Sequence, residues 1–174
     1  VSYTKVNGNY INLEINGELH DGFSVLTEAF SENAITPELN PRKGKKRVEY
    51  PFWNKLIRAQ DNKFIMTAQT KNEGNGEELG LYLGDCYSVI KFWDLYPSTG
   101  MDIKLVNLKN PGGSSEWCGD WGEFSKLWTP ELEEIVGKKE AIEDGEFFMS
   151  FEDFCNYFSI VNICHFHLDY FYNV

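Results

Sequence analysis

Tyr87-Ser88-Val89-Ile90-Lys91-Phe92-Trp93, the turn Pro97-Ser98-Thr99-Gly100, and Ile103-Lys104-Leu105-Val106-Asn107-Leu108 form the stretch from which the fold is read. The first run is apolar and β-branched, which predicts a buried strand. The last alternates in polarity, and Pro with Gly between them supplies the turn. The two are expected to lie side by side as antiparallel strands.

Upstream, Asn72 to Gly80 is rich in glycine and glutamate and reads as a flexible hairpin tip, preceded by a strand over Lys63 to Thr70. Pro51 to Gln60 carries Phe52, Trp53, Leu56 and Ile57 at helical spacing, with proline in the first turn. Asn33 to Pro51 is loop-like, poor in large apolar residues, and includes the basic run Arg42 to Arg47. Asn7-Gly8 and Asn16-Gly17 are hairpin dipeptides beside Tyr10, Ile11, Leu13 and Ile15, suggesting a small antiparallel element. Downstream, Pro111 to Ser115 is a turn-rich loop, and Pro130 to Lys139 places Leu132, Ile135 and Val136 along one side of a short acidic helix. Ser150 is an N-cap for a third helix, with Asp153 at its third position. Ile160 to His167 reads as the final strand. Strands dominate with three helices around them, so the fold class is α+β with a mainly antiparallel sheet.

The 174 residues suit one domain with one ordinary core. With 27 acidic and 16 basic side chains the formal charge is −11, which disfavours nucleic acid and anionic lipid as partners. No apolar run approaches the roughly 20 residues of a membrane span. The opening Val1-Ser2-Tyr3-Thr4-Lys5 is neither a signal peptide nor an initiating methionine, so a piece of a longer chain is expected. Cys86, Cys118, Cys155 and Cys164 are widely spaced, without a CxxC pair, which points to unbridged thiols in a reducing, cytoplasmic compartment.

Four segments then resemble a known family in order and spacing. They are Tyr3 to Tyr10, Gly84-Asp85-Cys86-Tyr87-Ser88-Val89, Lys109-Asn110-Pro111-Gly112 through Trp121, and Glu143-Asp144-Gly145-Glu146-Phe147-Phe148-Met149-Ser150 through Phe154. Together they are similar to the second subdomain of the calpain protease core over nearly the whole chain. The resemblance implies a papain-like half with a barrel-like antiparallel sheet. In the family this half supplies the histidine and asparagine of a Cys-His-Asn triad, and the preceding subdomain supplies the cysteine. That preceding subdomain is the first expected partner, with other protein partners beyond it.

The family reads Gly-His-Ala-Tyr-Ser-Val where this chain has Asp85 and Cys86, so Asp85 holds the position of the catalytic histidine. An imidazole takes the thiol proton and later protonates the leaving amine. A carboxylate beside a thiol opposes thiolate formation and is a poor proton donor at neutral pH. Asn110 matches the family asparagine, but the shielding tryptophan two residues on is Gly112. His20, His165 and His167 lie in no segment resembling the triad loop, so none is expected to substitute.

The resemblance also implies a calcium site. Glu116, Glu123, Asp144 and Glu146 match its acidic ligands, with Glu123 where the family usually has aspartate, and Ile142 would lend a carbonyl. Carboxylates flanking Gly145 suit an ion that takes six to eight oxygens. The plainer alternative is a solvated acidic face formed by Glu140, Glu143, Asp144 and Glu146.

The basic run is read as a solvated loop, His165 and His167 as ordinary strand residues, and Cys155 and Cys164 as packing residues. Cys86 is rejected as a displaced nucleophile because the neighbouring carboxylate disfavours its thiolate. The expected function is that of a calpain-like pseudoprotease domain with a binding, scaffolding or calcium-responsive role. The alternative is a divergent calcium-dependent endopeptidase with its nucleophile in a preceding subdomain.

Overall fold

The computed structural model of the chain describes residues 27–38, 46–98, 100–113, 115–138 and 144–166. The N-terminal hairpin dipeptides, the Tyr3 to Tyr10 motif, most of the basic run, His20, Ile142 and His167 lie outside those residues. Six strands make one antiparallel sheet: β1 (Ser31–Ile35), β2 (Ile65–Thr70), β3 (Cys86–Leu95), β4 (Ile103–Lys109), β5 (Glu146–Ser150) and β6 (Phe158–Cys164). The helices are α1 (Lys46–Asp61), α2 (Pro130–Val136) and α3 (Phe151–Tyr157). The class is therefore α+β, as expected. The strands pair in the linear order β1-β6-β2-β3-β4-β5, so among the described residues the sheet stays open instead of closing into a barrel.

The expected β3–β4 pair is present, with Phe92 opposite Val106 and Leu95 opposite Ile103. Its register shifts between Val89 and Lys91. The inserted Ile90 is exposed, and it resets which side chains face the main core. Tyr87 and Val89 point into that core before the bulge, and Phe92 does so after it. Trp93 and Leu95 then reach the opposite face.

Because successive strand residues alternate between faces, β4 and β5 are buried on both sides. Val106, Leu108, Phe147 and Met149 join the main core with Trp53 and Leu56 of α1 and Phe154 of α3. Ile103, Leu105 and Phe148 join a second core with Leu132 and Val136 of α2, against which Trp93, Trp121 and Trp128 pack.

Helix α1 also completes the sheet. Strand β2 pairs with β3 only over Cys86 to Ser88, leaving the far half of β3 without a strand on that side. Gln60 fills part of the gap: its side-chain carbonyl accepts from Phe92 N at 2.6 Å and its amide donates to Phe92 O at 3.1 Å. A neighbouring strand would bond the backbone in the same two ways.

Several boundaries differ from those the sequence suggests. The segment read as loop from Asn33 to Pro51 contains the end of β1 and the start of α1. Pro51 sits inside α1, not at its first turn, so the carbonyl four residues earlier has no N–H to accept from it. Asn72 to Gly80 is no free tip. It contains a 3-10 turn, Gly76–Leu79, pinned by a bond from Cys118 N to Leu79 O at 2.9 Å. Strand β6 begins two residues earlier than expected, directly after α3, and ends at Cys164.

The Ser150 cap is as expected: its hydroxyl accepts from Asp153 N at 2.9 Å and donates to the Asp153 carboxylate at 2.7 Å. Helix α2 is capped at both ends, by the Thr129 side chain and by Gly137 in the left-handed region at φ 66°.

Candidate functional site

The registers bring the three motif segments to one end of the sheet. Ser88 faces Lys109 across β3–β4, and Lys109 faces Glu146 across β4–β5. Asp85 before β3, Asn110 after β4, and Asp144 to Glu146 at the start of β5 therefore share that end.

Asp85 is exposed, and its backbone is fastened to Thr70 at the end of β2. Thr70 N donates to Asp85 O at 2.9 Å, and Asp85 N donates to the Thr70 hydroxyl at 3.0 Å. The same hydroxyl donates to Tyr82 O at 2.7 Å, so the almost fully buried Thr70 sets the loop before β3. No local pattern marks Thr70 for this role. The Asp85 carboxylate accepts from the next backbone amide, Cys86 N, at 2.8 Å. The carboxylate is thereby bound to its own turn.

Asn110 is 1% exposed and commits both ends of its carboxamide to its own loop. Oδ1 accepts from Gly112 N at 2.8 Å, and Nδ2 donates to Ser115 O at 3.2 Å. A Cβ on Gly112 would lie 3.2 Å from Oδ1, a tight contact that the glycine avoids. Asn110 N also donates to Gly145 O at 2.8 Å, tying the loop to the β5 turn. The Asn110 carboxamide thus serves as a loop-closing group.

His165 does not reach this end. Cys164, its neighbour, pairs with Ile65 at the far end of β2, whereas Asp85 is bonded to Thr70, and five strand steps separate the two by on the order of 16 Å. His165 Nε2 instead meets Glu32 at 3.0 Å.

The pKa of the half-buried Cys86 thiol is pushed up to about 11, first by burial and then by the Asp85 carboxylate. Iodoacetamide at about pH 8 should therefore alkylate the exposed Cys118 and spare Cys86. Cys86 labelling should rise about tenfold per pH unit toward pH 11, because only the thiolate reacts. Peptide mapping after alkylation checks this, and equal labelling of both thiols at neutral pH would contradict it. Cys155 and Cys164 are buried, and none of the four cysteines is in a disulfide.

The implied calcium ligands are only partly assembled. Glu116 reaches the β5 turn, where its carboxylate accepts from Gly145 N at 3.0 Å. Asp144 accepts from Glu146 N at 2.9 Å and lies 3.8 Å from the Lys109 ammonium. Glu146 turns to Asn107 Nδ2 at 2.8 Å, and Glu123 pairs with Lys138 Nζ at 2.8 Å. Among the described residues no three His, Cys, Asp or Glu side chains come close enough to share an ion. The described carboxylates do not converge on one point as folded, whereas calcium takes six to eight converging oxygens. Neither Lys138 nor Asn107 carries a sequence signal for these contacts.

The chain matches the family model described as calpain family cysteine protease over residues 1–165. It is 31% identical over 171 residues to calpain-9 of Rattus norvegicus, covering 94% of this chain and 23% of that protein. It is 28% identical over 169 residues to calpain-14 of Homo sapiens, with 94% and 22% covered. Against the calpain-2 catalytic subunit of Bos taurus it is 28% identical over 182 residues, with 94% and 23% covered. The chain thus spans less than a quarter of the length of these relatives.

Proposed function

The chain belongs to the calpain family of cysteine proteases, and within that family we propose that it is a non-catalytic subdomain that binds rather than cuts. Two observations together carry this reading: Asp85 stands at the position implied for the histidine, and the Asn110 carboxamide has both ends bonded, to Gly112 and Ser115. Neither group is arranged to move a proton between a thiol and a leaving amine.

Its partners are the preceding subdomain of the same core and other protein segments, bound in extended form through backbone hydrogen bonds. The unbridged cysteines support a reducing, cytoplasmic setting. Among the described residues no helix is long and apolar enough to cross a membrane. Two of the acidic residues implied for a calcium-responsive role are already engaged by other side chains, Glu123 by Lys138 and Glu146 by Asn107.

The test is covalent labelling of the full parent protein, in calcium, with a peptidyl epoxide directed at cysteine proteases. The expected rate is below that of an intact triad by at least about a thousandfold, the scale on which loss of a general base is felt. Rapid labelling of a cysteine in the preceding subdomain would establish the alternative, a divergent endopeptidase with its base from elsewhere.

A further inference from the structure

The Glu123–Lys138 pair is unlike an ordinary surface ion pair. The lysine side chain is only 10% exposed and the glutamate 23%, with 2.8 Å between their charged atoms. Lys138 is delivered by the end of α2. Gly137 turns the chain out of the helix in the left-handed region, and Lys138 N donates back to Glu133 O at 2.9 Å. The side chain thereby returns over the segment from Trp117 to Trp128, with its ammonium 5.8 Å from the centre of the Trp128 ring.

That segment contains unfavourable geometry that something must hold. Trp121 sits at φ 66°, a region that non-glycine residues rarely adopt. Trp128 Nε1 donates to Gly122 O at 3.0 Å, Trp121 and Trp128 meet edge to face at 5.1 Å, and Trp128 meets Phe148 of β5 at 5.3 Å. Glu123 lies between the two tryptophans in sequence, and its pair with Lys138 fastens the segment to the end of the helix.

We infer that Lys138 is this chain's built-in cation: its ammonium occupies Glu123 and fixes the Trp117–Lys138 segment without a divalent ion. A carboxylate that the family resemblance assigns to a metal is held here by a tethered charge, and the segment's conformation is constitutive. The inference does not depend on whether the domain is catalytic.

Thermal melting and tryptophan fluorescence of the chain, in EDTA and in about 2 mM calcium chloride, test it. The native chain should melt within about 1 °C in the two buffers, since an ion that does not bind the folded state adds nothing to its stability. In EDTA, Lys138→Met should melt roughly 3–6 °C lower with altered emission, because it leaves a poorly solvated carboxylate alone. Adding Glu123→Gln to that variant should recover part of the loss, because the stranded charge is gone. A saturable rise in the native melting point with calcium, abolished by Glu123→Gln, would overturn the inference. So would a Lys138→Met chain that melts at the native temperature in EDTA.

Discussion

Gly80→Ala is expected to destabilise the chain by about 3–5 kcal/mol, a large share of an ordinary domain's stability. Gly80 has φ 85°, where an alanine costs about 1 kcal/mol or more. Its added Cβ would lie 2.1 Å from the carbonyl oxygen of Glu116, an overlap that only movement of one backbone segment can relieve. That movement would sever Cys118 N from Leu79 O and the Ser115 hydroxyl from Gly80 O, now at 2.9 and 2.8 Å. Each bond contributes about 1 kcal/mol. Gly137 is the control: at φ 66° a Cβ added there would meet nothing within 4 Å, so Gly137→Ala should cost only about 1 kcal/mol. Urea unfolding followed by circular dichroism reads both midpoints. Equal midpoints for the two variants would mean that the contact between residues 79–80 and 115–118 holds nothing together.

Trp53→Ala should cost about 3–5 kcal/mol. The indole is 2% exposed and lies edge to face with Phe151 at 4.7 Å and Phe92 at 5.6 Å, so it joins α1 to both α3 and β3. Its Nε1 donates to the Asp94 carboxylate at 3.4 Å, and the Lys104 ammonium stands 5.3 Å from the ring. Truncation would empty the junction of three elements that cannot close together without moving the sheet. Trp53→Phe, which keeps an aromatic ring in place, should lose less than half as much. The same urea titration decides it, and a Trp53→Ala loss under about 1 kcal/mol would show that α1 is not anchored through this residue.

The sequence is most readable where local chemistry and tertiary packing agree. Strands β3 and β4 announce themselves because their apolar residues and the Pro-Gly turn coincide, and Ser150 with Asp153 is a cap that closes within one helical turn. Strand β1 is invisible in the sequence because Ser31, Glu32 and Asn33 carry no strand signal. It exists by pairing with β6, and Ala34 alone of its side chains is buried. The Ile90 bulge is equally hidden, since only the partner strand reveals an extra residue.

At the candidate site, the motifs single out Asp85 and Asn110, which the fold brings to one end of the sheet, but not what they touch. Whether the Asn110 carboxamide faces outward or bonds Gly112 depends on the path of five following residues. The acidic residues are legible as charges, whereas their partners Lys138 and Asn107 lie 15 and 39 residues away from Glu123 and Glu146. Long-range pairing of that sort leaves no trace in spacing.

The Gln60 bridge to Phe92 bears on how the molecule behaves in a crowded solution. A strand whose amides and carbonyls face outward is an invitation to foreign chains, and sheets that remain open have to defend such borders. Here the far half of β3 is guarded by a helix that offers one amide in place of a neighbouring strand. The hold of α1 on the sheet is therefore also a safeguard against self-association, and any change that loosens the helix exposes a border to which a second molecule can add.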